Sequence, residues 1–355
     1  MSLLADNSRP NVTATSVDKI KVSGDPRIEQ RSAFVNGKTY GYLYSQPRSG
    51  EHKGTVVLLH GFPDLSMAWR YQIPLFTNKG FRVIAPDCVG YGRTDAPADL
   101  AAYTLKSCAD DIKELATQLG ASKIILGGHD WGAYLAYRVA LWHPTLVQYL
   151  FTVCVPYSPP RKTYMSTEEM VKKVTPHFAY QLHFMSGDIE KVVHTKDDHK
   201  QFLAALYGGR TEKKEWAFDV HKGVDLERMW GVKPSWLLGN DELEYYAWEF
   251  TRHGLRGPLN WYRTSKLNHE DELALSTNTI NVPALFIQAI KDAALPPHLG
   301  KRNGRYLPQL TTKQVDASHW ALWERPKEVN TILEAWLDEV IIGDAGGVIA
   351  REKKL

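Results

Sequence analysis

The sequence predicts an α/β protein: a mostly parallel, eight-stranded sheet with helices on both faces and a helical segment inserted after the sixth strand. Three observations lead there. Short apolar runs without polar alternation recur along the chain, as in strands buried on both faces. Segments with apolar residues at helical spacing lie between them, so strand and helix alternate. The strand pattern then stops at Pro156, gives way to a long aromatic and charged stretch, and resumes at Val282.

Residues 1–16 are polar and read as loose. The first two strands, Glu29–Asn36 and Thr39–Ser45, meet at Asn36-Gly37, a favourable two-residue hairpin turn. After a polar loop at Ser49–Lys53, Thr55–Leu59 (TVVLL) is a continuous apolar strand. Helical character follows over Met67–Asn78, then a strand at Phe81–Ala85 and a loop at Pro86–Gly92. A helix over Ala109–Leu119 shows Ile112, Leu115, Ala116 and Leu119 on one face and stops at Gly120. Strand Ser122–Leu126, buried helix Ala133–Trp142 and strand Gln148–Val155 complete the first six strands. The stretch from Tyr157 to Asn278 reads as mostly helical, with no strong strand. Val282–Ala289 and Lys313–Val315 supply the last two strands, and Glu328–Val340 a final amphipathic helix. The expected organisation is a sheet domain made of residues 1–156 and 279–355, with a helical cap domain at 157–278. Neither an internal repeat nor a low-complexity tract appears.

Hydrophobic residues make up 43% and charged residues 23%, which suits a soluble protein with a sizeable core. A net charge of +3 points to neither nucleic acid nor an anionic membrane. Eleven Trp and 17 Tyr suggest a site with large apolar walls and a few polar handles. Cys88, Cys108 and Cys154 are too few for a disulfide framework and fit free thiols in a reducing, cytoplasmic compartment. The N-terminus carries no signal-peptide or anchor pattern; the terminal Lys353-Lys354-Leu355 is only a weak likeness to a peroxisomal Ser-Lys-Leu address.

The chemistry centres on Gly127-Gly128-His129-Asp130-Trp131-Gly132. A strand, a tight Gly-x-nucleophile-x-Gly turn and a helix make a nucleophile elbow, which lifts its central side chain out of a strained turn. Here that residue is Asp130 rather than Ser. The bland alternative is a helix cap, since Asp favours that position. A carboxylate nucleophile suits attack on a saturated carbon bearing a leaving group, giving an alkyl ester on the enzyme. At the end of the third strand, His60-Gly61-Phe62-Pro63 offers the backbone N–H of Phe62, which with that of Trp131 could form an oxyanion hole; His60 itself reads as structural. His319, just past the last strand, is placed to be the general base, because nucleophile, acid and His follow that chain order in such sites. The orienting acid should follow the penultimate strand, which selects Asp292 over Asp316, a turn residue; Asp87 and Asp95 read as structural. Two aromatic clusters stand out in the insertion, His177–Gln181 and Arg256–Arg263, and an un-ionised Tyr (pKa about 10) is a fitting acid for an alkoxide leaving group. Spacing alone does not choose among the tyrosines. Metal, Walker and dinucleotide motifs are absent, so no cofactor or metal is expected.

From about Glu29 to about Val340 the chain resembles the α/β-hydrolase fold and, within it, the soluble epoxide hydrolases. His60-Gly61-Phe62-Pro63 and Gly128-His129-Asp130-Trp131-Gly132 are similar to the family's oxyanion and nucleophile motifs, which dehalogenases of the same fold share. More specific are Phe178-Ala179-Tyr180-Gln181-Leu182 and Gly257-Pro258-Leu259-Asn260-Trp261-Tyr262-Arg263, which resemble the segments carrying the family's two ring-opening tyrosines. The resemblance implies Tyr180 and Tyr262 as proton donors, Asp292 and His319 as relay acid and base, and Trp131, Phe178, Trp261 and Trp320 as substrate-binding residues. The substrate is then a small apolar epoxide, attacked by Asp130 and released by water as a vicinal diol. Unlike other members, the sequence reads without an N-terminal phosphatase-like domain or a membrane anchor. The rival enzyme is a haloalkane dehalogenase, whose halide needs N–H donors such as Trp131 with Trp261 or Asn260. The non-enzymatic rival is a hydrolase-fold binding protein that has lost its chemistry.

Overall fold

The chain first doubles back at Asn36-Gly37, where φ is 46° and 81°. Both residues are left-handed, as a two-residue hairpin requires if its twist is to match the flanking strands. The hairpin joins β1 (Glu29–Val35) to β2 (Lys38–Ser45). The computed structural model describes residues 17–47 and 52–343; the polar start at 1–16, the loop residues 48–51 and the Lys353-Lys354-Leu355 terminus lie outside these.

β3 (Thr55–Leu59) is buried throughout. The helical stretch expected over Met67–Asn78 splits into a 3₁₀ turn at Ser66–Trp69 and α1 (Ile73–Asn78). Pro74 accounts for the break, since a residue without an N–H belongs in a first turn. β4 (Arg82–Pro86) follows. α2 (Leu105–Gln118) starts earlier than its apolar pattern indicates, because Thr104 caps it by accepting the Ser107 N–H at 3.1 Å. β5 (Ile124–His129) and α3 (Trp131–Trp142) are separated by Asp130 alone, and β6 (Val147–Val153) completes the first six strands.

The segment between β6 and the next sheet strand holds α4 (Thr167–Lys173), α5 (Tyr180–Ser186) and α6 (Lys196–Leu206). A ribbon of β7 (Phe218–Asp219) and β8 (Gly223–Val224) follows, too short to leave a periodicity in sequence. Then come α7 (Asn240–Phe250), α8 (Arg256–Arg263) and α9 (Ser265–Glu272). The sheet resumes with β9 (Ala284–Ala289) and β10 (Leu310–Val315). β10 begins ahead of its expected start because it is an edge strand with exposed polar residues, which carry no apolar signal. α10 (Ala321–Glu324) and α11 (Pro326–Trp336) follow, the last running into a π turn at Leu337–Ile342.

The eight sheet strands lie in the order β1-β2-β4-β3-β5-β6-β9-β10. Only the pairings made by β2 are antiparallel; all the others are parallel. β3 and β5 are therefore central neighbours, and the carboxyl ends of β3, β5, β6 and β9 open on one edge, where such sheets carry their sites. Two buried ion pairs tie the segment between β6 and β9 to the chain before it. Arg70 Nε donates to Glu242 Oε1 at 2.9 Å, and Arg138 Nε to Glu272 Oε1 at 2.7 Å; both arginine side chains are fully buried. No helix among the described residues is long and apolar enough to cross a membrane.

Breaking such a pair strands a charge. Arg138→Ala leaves Glu272 buried without its guanidinium, and denaturant unfolding should show a loss of about 3–5 kcal/mol; a loss below about 1 kcal/mol, the range of an exposed pair, would contradict this burial.

Candidate active site

Asp130 occupies the turn between β5 and α3 with φ 53° and ψ −129°, a conformation that strains a side-chain-bearing residue. Its side chain makes no cap hydrogen bond to α3, so the helix-cap alternative does not describe it. Close packing holds the turn. A Cβ at Gly132 would lie 2.1 Å from the Leu59 carbonyl oxygen, and one at Gly61 2.3 Å from Asp130 Oδ1. Glycine at these positions lets the loop after β3 come against the elbow.

Each carboxylate oxygen of Asp130 faces a different group. The Phe62 N–H donates to Oδ1 at 2.7 Å. His319 Nε2 stands 3.4 Å from Oδ2. On its other side the His319 Nδ1–H donates to Asp292 Oδ2 at 2.8 Å, and Asp292 Oδ1 accepts the N–H groups of Ala294 and Leu295 at 2.9 and 3.0 Å. Asp130 keeps 15% of its side chain exposed, whereas His319 keeps 3% and Asp292 none, so the nucleophile candidate is the open end of the row. Asp316, the rival acid, lies at the surface paired with Lys291 at 2.7 Å. The Trp131 N–H lies in the first turn of α3, where backbone donors lack intrahelical acceptors.

Burial works against a charged His319, but Asp292 and then Asp130 outweigh it and push the ring from its ordinary 6.5 up to about 10. Burial likewise opposes charge on Asp130, and its bond and attraction to His319 win, holding the carboxyl below its usual range. The two shifts run in the directions that favour a charged His319–Asp130 pair. Burial, and then the Asp130 charge, raise Tyr180, while burial and Tyr180 raise Tyr262, so both are neutral at pH 7.

The tyrosines come from the inserted segment: Tyr180 opens α5 and Tyr262 lies in α8, with ring centroids 6.4 Å apart. Tyr262 meets the rings of Phe62 and Trp131 edge-on, each at 5.2 Å, beside the elbow. Phe178 packs edge-on to Tyr180 at 6.4 Å, and Phe178 and Trp131 retain free surface. Trp261 and Trp320 do not. Trp261 is 2% exposed and donates its indole N–H to the Val89 carbonyl at 3.0 Å; Trp320 is 1% exposed and stacks on Trp323 behind His319 at 5.5 Å. Both are enclosed, as Tyr180 and Tyr262 are, and Trp261 meets the Trp131 ring at 6.1 Å.

Other expected roles are visible locally. His60 donates from Nδ1 to the Gly61 carbonyl and accepts the Cys88 N–H at Nε2, tying two loops together. Asp87 accepts the Ser66 and Arg93 N–H groups, and Asp95 that of Thr39. Sequence reasoning passed over three residues. His129 donates from Nε2 to the His319 carbonyl at 2.8 Å, and the Cys154 thiol donates to the same oxygen at 3.3 Å; together they fold the His319 loop back toward β5. Burial and then His319 push the His129 ring down to about 4, keeping it neutral. Phe184 packs on Tyr180, Phe62 and Tyr262 at 5.3, 5.0 and 5.0 Å. Its place four residues after Tyr180, on the same helix face, was the available signal.

The family profile of the α/β-hydrolase fold matches residues 54–326. An epoxide hydrolase of Neurospora crassa is 38% identical, over 89% of this chain and 97% of its own length. The chain belongs to the epoxide hydrolases of the α/β-hydrolase fold. The bifunctional epoxide hydrolase 2 of Rattus norvegicus is 32% identical over 85% of this chain, which spans 56% of the rat protein. Among solved structures, epoxide hydrolase A of Mycobacterium thermoresistibile aligns with a TM-score of 0.74 at 31% identity, over 88% of this chain and 98% of that one.

For this family member the charge row has a measurable signature. The His319 value lies above its ordinary 6.5, so its pairing stabilises the fold fully below about pH 6.5 and that contribution fades as the pH rises toward 10. In Asp130→Asn one carboxylate charge is gone, and the His319 ring titration, followed by NMR, should move down; an unmoved titration would mean that Asp292 alone sets it.

Proposed function

We propose that this chain hydrolyses a small apolar epoxide to a vicinal diol through a covalent ester on Asp130, with residues 157–278 acting as a cap over the sheet domain of residues 1–156 and 279–355. The observation that carries the reading is the pair of neutral tyrosines, Tyr180 and Tyr262, in ring contact with each other beside an elbow carboxylate, Tyr262 against Trp131 and Phe62. Tyr180 and Tyr262 hydrogen-bond the epoxide oxygen while Asp130 Oδ2 attacks a ring carbon. The C–O bond breaks, the alkoxide takes a proton from one tyrosine, and a hydroxyalkyl ester forms. Esterification removes the Asp130 charge that helped hold His319 protonated. The imidazolium then gives up its proton, which returns through solvent to the tyrosinate.

As a neutral base, oriented by Asp292, His319 takes a proton from a water whose oxygen adds to Cγ of Asp130. The charge that builds on Oδ1 faces the N–H groups of Phe62 and Trp131. Collapse expels the diol alkoxide, which takes the proton from His319, and the new carboxylic acid passes its own proton back to His319. The slot between Trp131, Phe178 and the tyrosines excludes water during the first step. Three free, buried cysteines favour a reducing compartment such as the cytoplasm.

A dehalogenase would need spare N–H donors for halide. The Trp261 indole N–H is engaged by the Val89 carbonyl at 3.0 Å, so it does not favour that reading.

Product analysis with styrene oxide and with 1-bromobutane separates the two: diol without bromide is expected, and it should vanish in the Tyr180→Phe, Tyr262→Phe double variant. Bromide without diol would move the protein to the dehalogenases. For His319→Gln, intact-protein mass after mixing with styrene oxide should rise by one substrate; an unmodified protein would sink the two-step scheme.

A further inference from the structure

The loop that supplies the Phe62 N–H is gripped from the inserted segment. It runs His60-Gly61-Phe62-Pro63-Asp64, and the Asp64 N–H closes back on the Gly61 carbonyl at 3.0 Å. Tyr207, at the end of α6, donates its hydroxyl to the Pro63 carbonyl at 2.6 Å. Tyr246, in α7, donates to Asp64 Oδ1 at 2.6 Å. Both rings are buried, stand edge-on to one another at 6.2 Å, and pack on Trp323, whose indole N–H donates to the Ala68 carbonyl at 2.9 Å. The two acceptors are the residues directly after Phe62. Asp64 Oδ2 has no partner, so apart from the adjacent Leu65 N–H at 2.8 Å the carboxyl depends on Tyr246.

We propose that Tyr207 and Tyr246 are positioning residues for the second half-reaction: they hold the Phe62 N–H where the oxyanion of ester hydrolysis forms. The inference rests on the mechanism above and adds a second role for the cap, beyond supplying Tyr180 and Tyr262. The step specificity follows from where charge moves. During ring opening negative charge leaves Asp130, so the Phe62 N–H bond to Oδ1 weakens and gives that step no acceleration. During hydrolysis charge builds on Oδ1, and the same N–H stabilises the transition state more than the ester. A displaced loop therefore slows ester breakdown and spares ester formation.

Tyr207→Phe and Tyr246→Phe each delete one oxygen and keep the ring. With styrene oxide, each variant should lose kcat by about 10-fold, a fraction of the effect of deleting an oxyanion donor outright. KM should fall in parallel, leaving kcat/KM within about twofold, because kcat/KM reports only the steps through ester formation. Quenched intact-mass spectra should show esterified enzyme as the main steady-state species. Tyr157→Phe is the matched control: it deletes a hydroxyl that donates to the Asn278 carbonyl at 2.6 Å, away from the loop, and should lower the melting temperature without shifting the ester fraction. A fall in kcat/KM with no rise in ester would overturn the proposal and leave the two tyrosines as cap supports. Wild-type protein forming neither ester nor diol would overturn the hydrolase mechanism itself, and this inference with it, before any variant is compared.

Discussion

One strained residue organises the carboxyl edge of the sheet. Asp130 sits at φ 53° between a strand and a helix with no intervening loop. That conformation persists because its surroundings leave it no alternative: β5 is paired on both sides by β3 and β6, and Gly132 packs against the end of β3. The same packing delivers the Phe62 N–H to Oδ1. Relaxing the turn would move the carboxylate away from both its backbone donor and His319, so the strain and the charge arrangement stand or fall together.

Burial gives that arrangement its force. In water the three charges of Asp130, His319 and Asp292 would interact weakly; enclosed at the edge of the core, they shift His319 far from its ordinary range. A base that rests protonated cannot act early. In the proposed mechanism, esterification of Asp130 removes one of the two neighbours that hold the proton, and the base becomes competent when its substrate, the ester, exists. In that proposal the charge pattern orders the two steps.

The segment between β6 and β9 meets the rest of the chain through polar groups that would be costly to separate. Arg70–Glu242 and Arg138–Glu272 are buried ion pairs, and Tyr207 and Tyr246 place hydroxyls on the loop that bears the Phe62 donor. On the far side, Arg263 of α8 donates to the Met185 carbonyl at the end of α5 and to Glu190, tying together the two helices that carry Tyr262 and Tyr180. Separating them would leave buried charges and hydroxyls without partners.

What the sequence alone determined was local. Apolar runs located β3 and β5, Asn36-Gly37 the hairpin, and the glycines around Asp130 the elbow, because each depends on neighbours a few residues away. Elements whose cues were weak or displaced were misread at their edges: β10 is an exposed edge strand, and Pro74 divided an expected helix. The epoxide-hydrolase family was legible in longer motifs. Tertiary structure decided the pairings between distant residues: that Asp292 rather than Asp316 meets His319, that Trp261 spends its N–H on Val89, and that Tyr207 and Tyr246 reach the Phe62 loop. A hydrogen bond is a matter of a few tenths of an ångström and of direction. Periodicity carries no such information across a hundred residues; only the closed sheet, with the insertion seated on it, does.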